Sequence, residues 1–393
     1  MMLLSKTSTS ASFRAIVKML LIVRITLSWE GRTPCPNTLR LWIEKIGYYE
    51  ITREKEKHDD WVIIIDGSIQ FGKEKIYVIY GISQSEIPKD RALKISDLTT
   101  LYLEIKENWN GEIIKKVLRD LNIGVEKIAY AVSDSGPDIT KGLRLAGVPQ
   151  IGDITHQLAI ITKKIFENDE NYKSISKEIS EMRNNLAQTD AAHLVPPAQR
   201  KKSHYQNIKT IADWLNNFYC FVEKKKYKKT LKHRKESFLW ILKYKTFIED
   251  FTAMNCIICD LEKIVKTKGL SLKTKAECLK LFKNSKNNYT KILRTEFIEY
   301  ADEMLSRTKY ENILCTSDII ESAFGKYKNY VSDNPIAGVT NLVLSLAAFT
   351  SKLTTGEIKK ALEATRVQDI KAWTFENLSS SLLEKRIAAF NFT

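Results

Sequence analysis

Three carboxylates in this chain are spaced as a divalent-metal site would need them. Asp66 closes the strongest apolar run, Trp61-Val62-Ile63-Ile64-Ile65-Asp66-Gly67-Ser68. A short β-branched run bounded by polar residues and a glycine reads as a buried strand, and a carboxylate at its end is aimed at solvent or at a site rather than into the core. Asp134 follows a second such run, Val125 to Val132, in the dipeptide Ser133-Asp134. Glu321 lies in Cys315-Thr316-Ser317-Asp318-Ile319-Ile320-Glu321-Ser322-Ala323-Phe324-Gly325-Lys326-Tyr327-Lys328. Ser317 is the natural N-cap there, which predicts Glu321 in the second turn of a helix. Carboxylates from two adjacent strand ends and one facing helix can hold two hard cations such as Mg²⁺. Such a pair stabilises the attacking and leaving oxygens of an in-line phosphodiester displacement. Lys328, seven residues after Glu321, shares its helical face and would meet a phosphate beside the ions, whereas Lys326 points elsewhere.

Two of the three have rivals. Asp138 follows Asp134 by four residues, but it falls in a first helical turn, where an acid favours the helix dipole. Asp318 has the same explanation relative to Glu321. The preferred set is therefore Asp66, Asp134 and Glu321.

The elements that must position them form four zones. Residues 1–55 are read as helical and basic, with one helix from Ser12 to Leu20. A second is capped by Asn37 and runs Thr38–Ile46, with Leu39, Trp42 and Ile46 on one face and Gly47 as its stop. They fit either a truncated helix-turn-helix or a helical arm packed on the next domain. Residues 56–160 alternate strand and helix. The hairpin Trp61–Asp66 and Lys75–Ile82 has a turn from Gly67 to Glu74. A third strand lies within Ala92–Ile105, a helix at Gly111–Leu121, and a fourth strand at Val125–Val132. A helix over Pro137–Ala146 and a fifth strand at Val148–Ile151 complete the zone. Meander, then helix–strand–helix–strand, predicts a five-stranded mixed α/β sheet with flanking helices. Residues 161–310 read as all-helical and basic. Residues 311–393 are helical again, with an apolar stretch from Val339 to Leu353, and complete the core.

Lys and Arg number 62 against 47 Asp and Glu, a net charge of +15. That excess points to a polyanion, nucleic acid before an anionic membrane. Its densest part is Lys224 to Lys235: Lys224, Lys225, Lys226, Lys228, Lys229, Lys232, Arg234 and Lys235 lie within twelve positions. This run is too charged for a core face. It reads as a solvated helix or as a DNA-backbone contact, with Tyr227 and His233 as candidates for stacking. Ala15–Leu27 is apolar but is interrupted by Lys18 and Arg24 and is too short to span a bilayer. No cleavage site suited to a signal peptide follows it. The six cysteines, including Cys256-x-x-Cys259, have no second pair at zinc spacing and are read as buried thiols in a reducing cytosol.

Taken together, Asp66, Asp134, Glu321 and Lys328 resemble the DDE triad and trailing lysine of insertion-sequence transposases. Asp153-Ile154-Thr155-His156 resembles the D-x-x-H element of some of those families, Mutator-like ones among them. Asp153 would orient His156, giving it a catalytic or phosphate-contact role. The helical segment between His156 and Glu321 is similar to the insertion of hAT and Mutator-like transposases, and His193-Leu194-Val195-Pro196-Pro197 with Arg200 and Trp214 resembles a stretch of bacterial DDE enzymes. The resemblance spans about 60–335. It implies an RNase H-like core interrupted by a helical insertion and metal-dependent cleavage and strand transfer on double-stranded DNA. It further implies two Mg²⁺ or Mn²⁺ ions on Asp66, Asp134 and Glu321, a homodimer or larger assembly, and a location on the bacterial nucleoid. A nuclease on the same fold and a non-catalytic DNA-binding descendant are the alternatives.

Overall fold

A computed structural model describes residues 3, 6, 7, 9, 11–28, 30–71, 74–198, 208–229, 231–283, 285, 287–331, 339–380 and 382–390; the side chains of 69–71, 228, 382 and 383 lie outside that description, as does all of Arg200. The chain divides into two compact units. The first joins Met1–Pro88, Ala92–Ile151 and Thr316–Thr393, and the second is Lys89–Arg91 with Gly152–Cys315.

The first unit is built on a five-stranded mixed sheet. Strands β1 (Trp61–Phe71) and β2 (Glu74–Ser83) pair antiparallel, β3 (Thr99–Lys106) adds antiparallel to β2, and β4 (Ile128–Ser133) adds parallel to β1. With β5 (Gln150–Gly152) the order is β3-β2-β1-β4-β5. Val62, Ile63 and Ile64 are fully buried, so β1 is covered on both faces, and that is why its sequence is continuously apolar rather than alternating. On one face Trp61, Ile63 and Ile65 share a core with Ile114, Val117 and Leu118 of α3 (Gly111–Asp120) and with Ile139 and Leu143 of α4 (Pro137–Ala146).

The opposite face meets segments from both chain ends. Tyr80 donates its hydroxyl to the Leu346 carbonyl at 2.9 Å, and the hydroxyls of Thr100 and Thr350 lie 2.9 Å apart. Helix α1 (Phe13–Thr26) is capped by Ser12, whose hydroxyl accepts from the Ala15 amide. Helix α2 (Pro36–Thr52) packs on β3, on the turns Asn341–Leu344 and Ser345–Ala348, and on the helix Thr355–Ala364. A closed polar ring locks it. Arg40 donates to Glu44 at 2.7 Å and to Asn341 at 2.7 Å, and Asn341 donates back to Glu44 at 3.0 Å. Burial pushes the Glu44 carboxyl up, opposed by the Arg40 guanidinium.

Several boundaries differ from the sequence reading: β4 starts at Ile128 after a 3₁₀ turn at Val125–Lys127, β5 is Gln150–Gly152, and α1 runs on to Thr26. Asn37 does not cap α2, which starts at Pro36 after Cys35, and Gly47 does not end it. A methyl group on Gly47 would sit 1.9 Å from the Leu344 carbonyl oxygen, so the glycine serves a close approach rather than a stop. Asp66 does not end β1: the hairpin ladder runs on through Gly67 opposite Tyr77 and Ser68 opposite Ile76 to Phe71 opposite Glu74. The β-branched and aromatic partner strand supplies ladder hydrogen bonds past the point where β1 loses its apolar pattern.

The second unit is helical, apart from one bridge between Leu270 and Ile313. Its helices are α5 (Ile154–Phe166), α6 (Glu170–Leu186), α7 (Ile208–Glu223), α8 (Lys245–Lys268), α9 (Leu272–Lys280) and α10 (Asn288–Ser306). Phe166, Tyr172, Phe247, Phe251 and Tyr289 form an aromatic cluster with centroid spacings of 4.9–6.2 Å. All six cysteines are free. Cys278 and Cys315 are buried as expected, but Cys35 and Cys256 are exposed, Cys35 because it precedes α2 in the extended chain and Cys256 because it lies on a solvent-facing position of α8.

Gly47→Ala is expected to cost about 1–3 kcal/mol in urea unfolding through overpacking against Leu344. Gly325→Ala, in a helix where an added methyl group meets nothing within 4 Å, is expected to be neutral or to stabilise by up to about 1 kcal/mol.

Candidate active site

Asp66 sits where the two ladders of β1 part company. The parallel ladder with β4 ends at Ile64 opposite Val132, whereas the antiparallel ladder with β2 continues beyond it. Asp66 lies two residues past the last rung on β1 (66 − 64), and Asp134 two residues past its partner Val132 (134 − 132), one residue beyond the end of β4. Within β1, Asp66 shares the face of Val62 and Ile64, away from the α3/α4 core. Both carboxylates are half-buried. The Gly67 amide donates to Asp66 Oδ1 at 2.7 Å, and the Gly136 amide donates to Asp134 Oδ1 at 3.0 Å. Gln150 of β5 braces the second turn, donating to the Ser133 hydroxyl at 2.9 Å, the Asp134 carbonyl at 3.1 Å and the Thr140 hydroxyl at 3.2 Å.

Helix α11 (Asp318–Val331) packs against β1. Ile320, Ala323, Phe324 and Tyr327 are its buried residues, the spacing of one helical face. Glu321 lies in the first turn rather than the second, because the helix begins at Asp318 itself. Glu321, Gly325 and Lys328 follow one another at helical spacing along an exposed stripe, with Asp318 half-buried beside it.

Tyr77 is the part of this region that sequence reading missed. Its ring lies over Gly67, where a methyl group would come within 2.7 Å of it, and stacks on Trp109 at 4.0 Å. An aromatic across a strand glycine restores the packing that the glycine lacks. Burial first, and then the charges of Asp138, Asp66 and Asp134, push the Tyr77 hydroxyl up to about 12. The phenol thus lies within electrostatic reach of three separate carboxylates. The signal in the sequence was the Gly67–Tyr77 pair, visible only once the register is known.

Asp66 and Asp134 offer oxygen donors alone, a set that suits a hard cation. Among the described residues, the group of three acids or histidines whose donor atoms all lie within 4.8 Å of one another is Glu56, His58 and Glu86. Asp66, Asp134 and Glu321 are spread more widely than that. Two ions about 4 Å apart, each with oxygens at about 2.1 Å, themselves distribute their outer ligands over roughly 8 Å.

In the second unit, the buried Asp153 caps α5. Its Oδ1 accepts from the His156 amide at 2.9 Å and lies 3.3 Å from His156 Nδ1. The Asp153–His156 contact therefore exists within this unit. His193 is exposed, Arg183 donates to the Pro196 carbonyl, and Trp214 stacks on Phe218.

The basic run is not a helix. It forms two 3₁₀ turns, Lys226–Lys228 and Lys232–Arg234, after Lys225 in a left-handed conformation (φ 54°). Tyr227 and Leu231 are buried and anchor the turns, so Tyr227 packs near Phe238 and is not available for stacking on a base. Arg234 and His233 both pair with Asp190, at 2.6 and 3.0 Å. Lys224, Lys225, Lys226, Lys229, Lys232 and Lys235 are exposed, and only the backbone of Lys228 is described.

No protein-family model and no curated protein sequence matches this chain. No helix among the described residues is long and apolar enough to cross a membrane.

Because the charges of Asp138, Asp66 and Asp134 each push the Tyr77 hydroxyl up, Asp66→Asn, Asp134→Asn and Asp138→Asn should each lower the Tyr77 titration midpoint, read by ultraviolet difference against Tyr77→Phe. Burial keeps the midpoint above the usual tyrosine value in every case. The raised hydroxyl also makes a stability claim with a definite sign. Below pH 10 both folded and unfolded forms hold the proton. Between 10 and 12 only the unfolded form releases it, so this contribution to stability falls as pH rises through that window, and Tyr77→Phe should remove that part of the loss.

Proposed function

We propose that the chain is a DNA transposase of the DDE type, cleaving and joining phosphodiester bonds with Mg²⁺ or Mn²⁺. What supports this reading is that Asp66 and Asp134 each follow the last β1–β4 rung by two residues, at the end where the two central strands separate. The sheet order β3-β2-β1-β4-β5 resembles an RNase H-like core, and the helical unit Gly152–Cys315 falls between β5 and α11 as the insertion of such enzymes does.

Asp66, Asp134 and Glu321 would hold the ions, which when bound polarise phosphoryl oxygens and lower the pKa of water. The chain's own residues supply orientation and charge. The backbone amides of Gly67 and Gly136 fix one oxygen of each aspartate. Lys328 offers a cation to the phosphate backbone along the same stripe as Glu321. His156, held by Asp153, is suited to exchange a proton with a hydroxyl or a phosphate oxygen. The exposed lysines of 224–235 would neutralise DNA phosphates without reading sequence. Paired DNA ends call for at least a homodimer.

Supercoiled plasmid incubated with the full chain should be nicked and joined with Mg²⁺ and left intact with EDTA. Asp66→Asn, Asp134→Asn and Glu321→Gln are each expected to lower cleavage about 10³-fold or more, the size of several kcal/mol of charge stabilisation. Cleavage by all three variants at the wild-type rate overturns the assignment. Nicking without joining would indicate a nuclease, and binding without cleavage a non-catalytic descendant. Replacing Lys224, Lys226, Lys229 and Lys232 by Ala should weaken binding evenly across sequences, reducing the slope of log K against log salt by ~0.9 for each phosphate no longer neutralised.

A further inference from the structure

We infer a second cation site at the other end of the hairpin, formed by Glu56, His58 and Glu86 and suited to a borderline first-row divalent ion, zinc first. The donor atoms of these three side chains all lie within 4.8 Å of one another. They come from two chain segments that leave a common rung. Glu56 and His58 precede β1, Glu86 follows β2, and Trp61 pairs with Ser83 across the open end.

Both segments are held before any ion arrives. The His58 ring stands edge-on to Trp61 at 4.9 Å with its Nε2 3.5 Å from Glu56 Oε2, and its side chain is 20% exposed. The turn carrying Glu86 (Gln84–Glu86) is tied to Asp60, which accepts from the Ser83 hydroxyl at 2.7 Å and from the Ser85 amide at 3.1 Å. Tyr130 donates to Gln84 at 2.7 Å.

The charges supply an independent argument. Two carboxylates gathered this closely repel unless a cation lies between them. The neighbouring cations are committed elsewhere: Arg53 to Glu50, Lys55 to the Glu50 carbonyl, and Lys127 to Asp59. Among the described residues, Glu56 and Glu86 have no lysine or arginine nitrogen within 4.0 Å, although Arg53, Lys352 and Lys360 line the same cavity at greater distance, and His58 is the basic group grouped with them.

One imidazole and two carboxylates favour zinc-class ions over Mg²⁺. Three protein donors leave a fourth position for water or another ligand. At zinc–ligand distances of about 2.1 Å, tetrahedral donors stand about 3.4 Å apart, so closure needs only side-chain rotation within the present 4.8 Å grouping. Such an ion would staple the open end of the β1–β2 hairpin, five residues before Asp66 (66 − 61).

Calorimetric titration of the full chain with Zn²⁺ alone, checked by the visible band of Co²⁺, tests this. One equivalent should bind. Outer-shell partners of zinc are worth about 10–100-fold in affinity, so removal of a direct ligand in His58→Ala or Glu86→Gln should weaken this equivalent by about 100-fold or more. The Asp66→Asn, His156→Ala and His233→Ala variants should retain it. Circular dichroism of the apo variants separates ligand removal from unfolding. No Zn²⁺ binding at micromolar concentration by the wild type overturns the proposal. So does a His58→Ala protein that is folded and binds as tightly as the wild type, or disappearance of the equivalent on replacing His156 or His233.

Discussion

The first unit depends on an asymmetry in one strand. β1 is hydrogen-bonded on both sides as far as Ile64 and on one side beyond it. Up to that residue it is a buried central strand, and its side chains have no freedom to be polar. Past it, the β4 flank is open while the β2 flank still holds the backbone rigid. A carboxylate placed two residues beyond the break is fixed by a ladder and yet not sealed in a core. Asp134 lies just past the end of β4, in the turn whose Gly136 amide holds its carboxylate. One acid is thus held by a ladder and the other by a turn that Gln150 of β5 braces.

Around that break, small residues do a disproportionate share of the positioning. Gly67 makes room for the Tyr77 ring, and Gly136 lies against the Asp134 carboxylate. The Tyr77–Trp109 stack lies on the α3/α4 side. On α11 the exposed stripe Glu321–Gly325–Lys328 sets a carboxylate and a cation on either side of a residue without a side chain. On the second unit, the lysines of 224–235 protrude from turns pinned by Tyr227 and Leu231, which gives a charged surface more rigidity than a solvated helix end would have.

Periodicity made much of the fold legible. Pro137–Ala146 is a helix at the expected bounds, because Pro at the first turn and Gly147 after the last are strong local signals. The five strands and their segregation from a long helical stretch were also legible. Several details were not. Gly47 read as a helix stop because its contact, Leu344, lies almost 300 residues away (344 − 47). The turn after Asp66 was drawn too early because polarity, not pairing, was the only local cue. The lysine run hid two buried anchors, since one aromatic and one leucine among eight cations leave no periodic trace. Within the candidate site, Asp134 was readable as the residue that follows a strand, whereas Asp66 lies inside β1, five residues before its end (71 − 66). The Tyr77 hydroxyl and the Glu56–His58–Glu86 group were not readable, because both depend on which rungs of a hairpin face each other.

The sheet unit is assembled from three stretches of chain, with the last beginning at Thr316. Its tertiary bonds span great separations: Tyr80 to Leu346, Thr100 to Thr350, Arg40 to Asn341. During synthesis the ribosome releases both aspartates long before it makes the helix that bears Glu321. Asp66 and Asp134 therefore stand on a growing chain while α11 and the cover for Tyr80 and Thr100 are still untranslated. Contacts this distant are slow to close, and an exposed sheet face waiting for its cover invites wrong partners. The same delay means that the strands of the sheet are made before the helices of the second unit, whereas α11 and the segments that cover Tyr80 and Thr100 are made only after those helices have emerged.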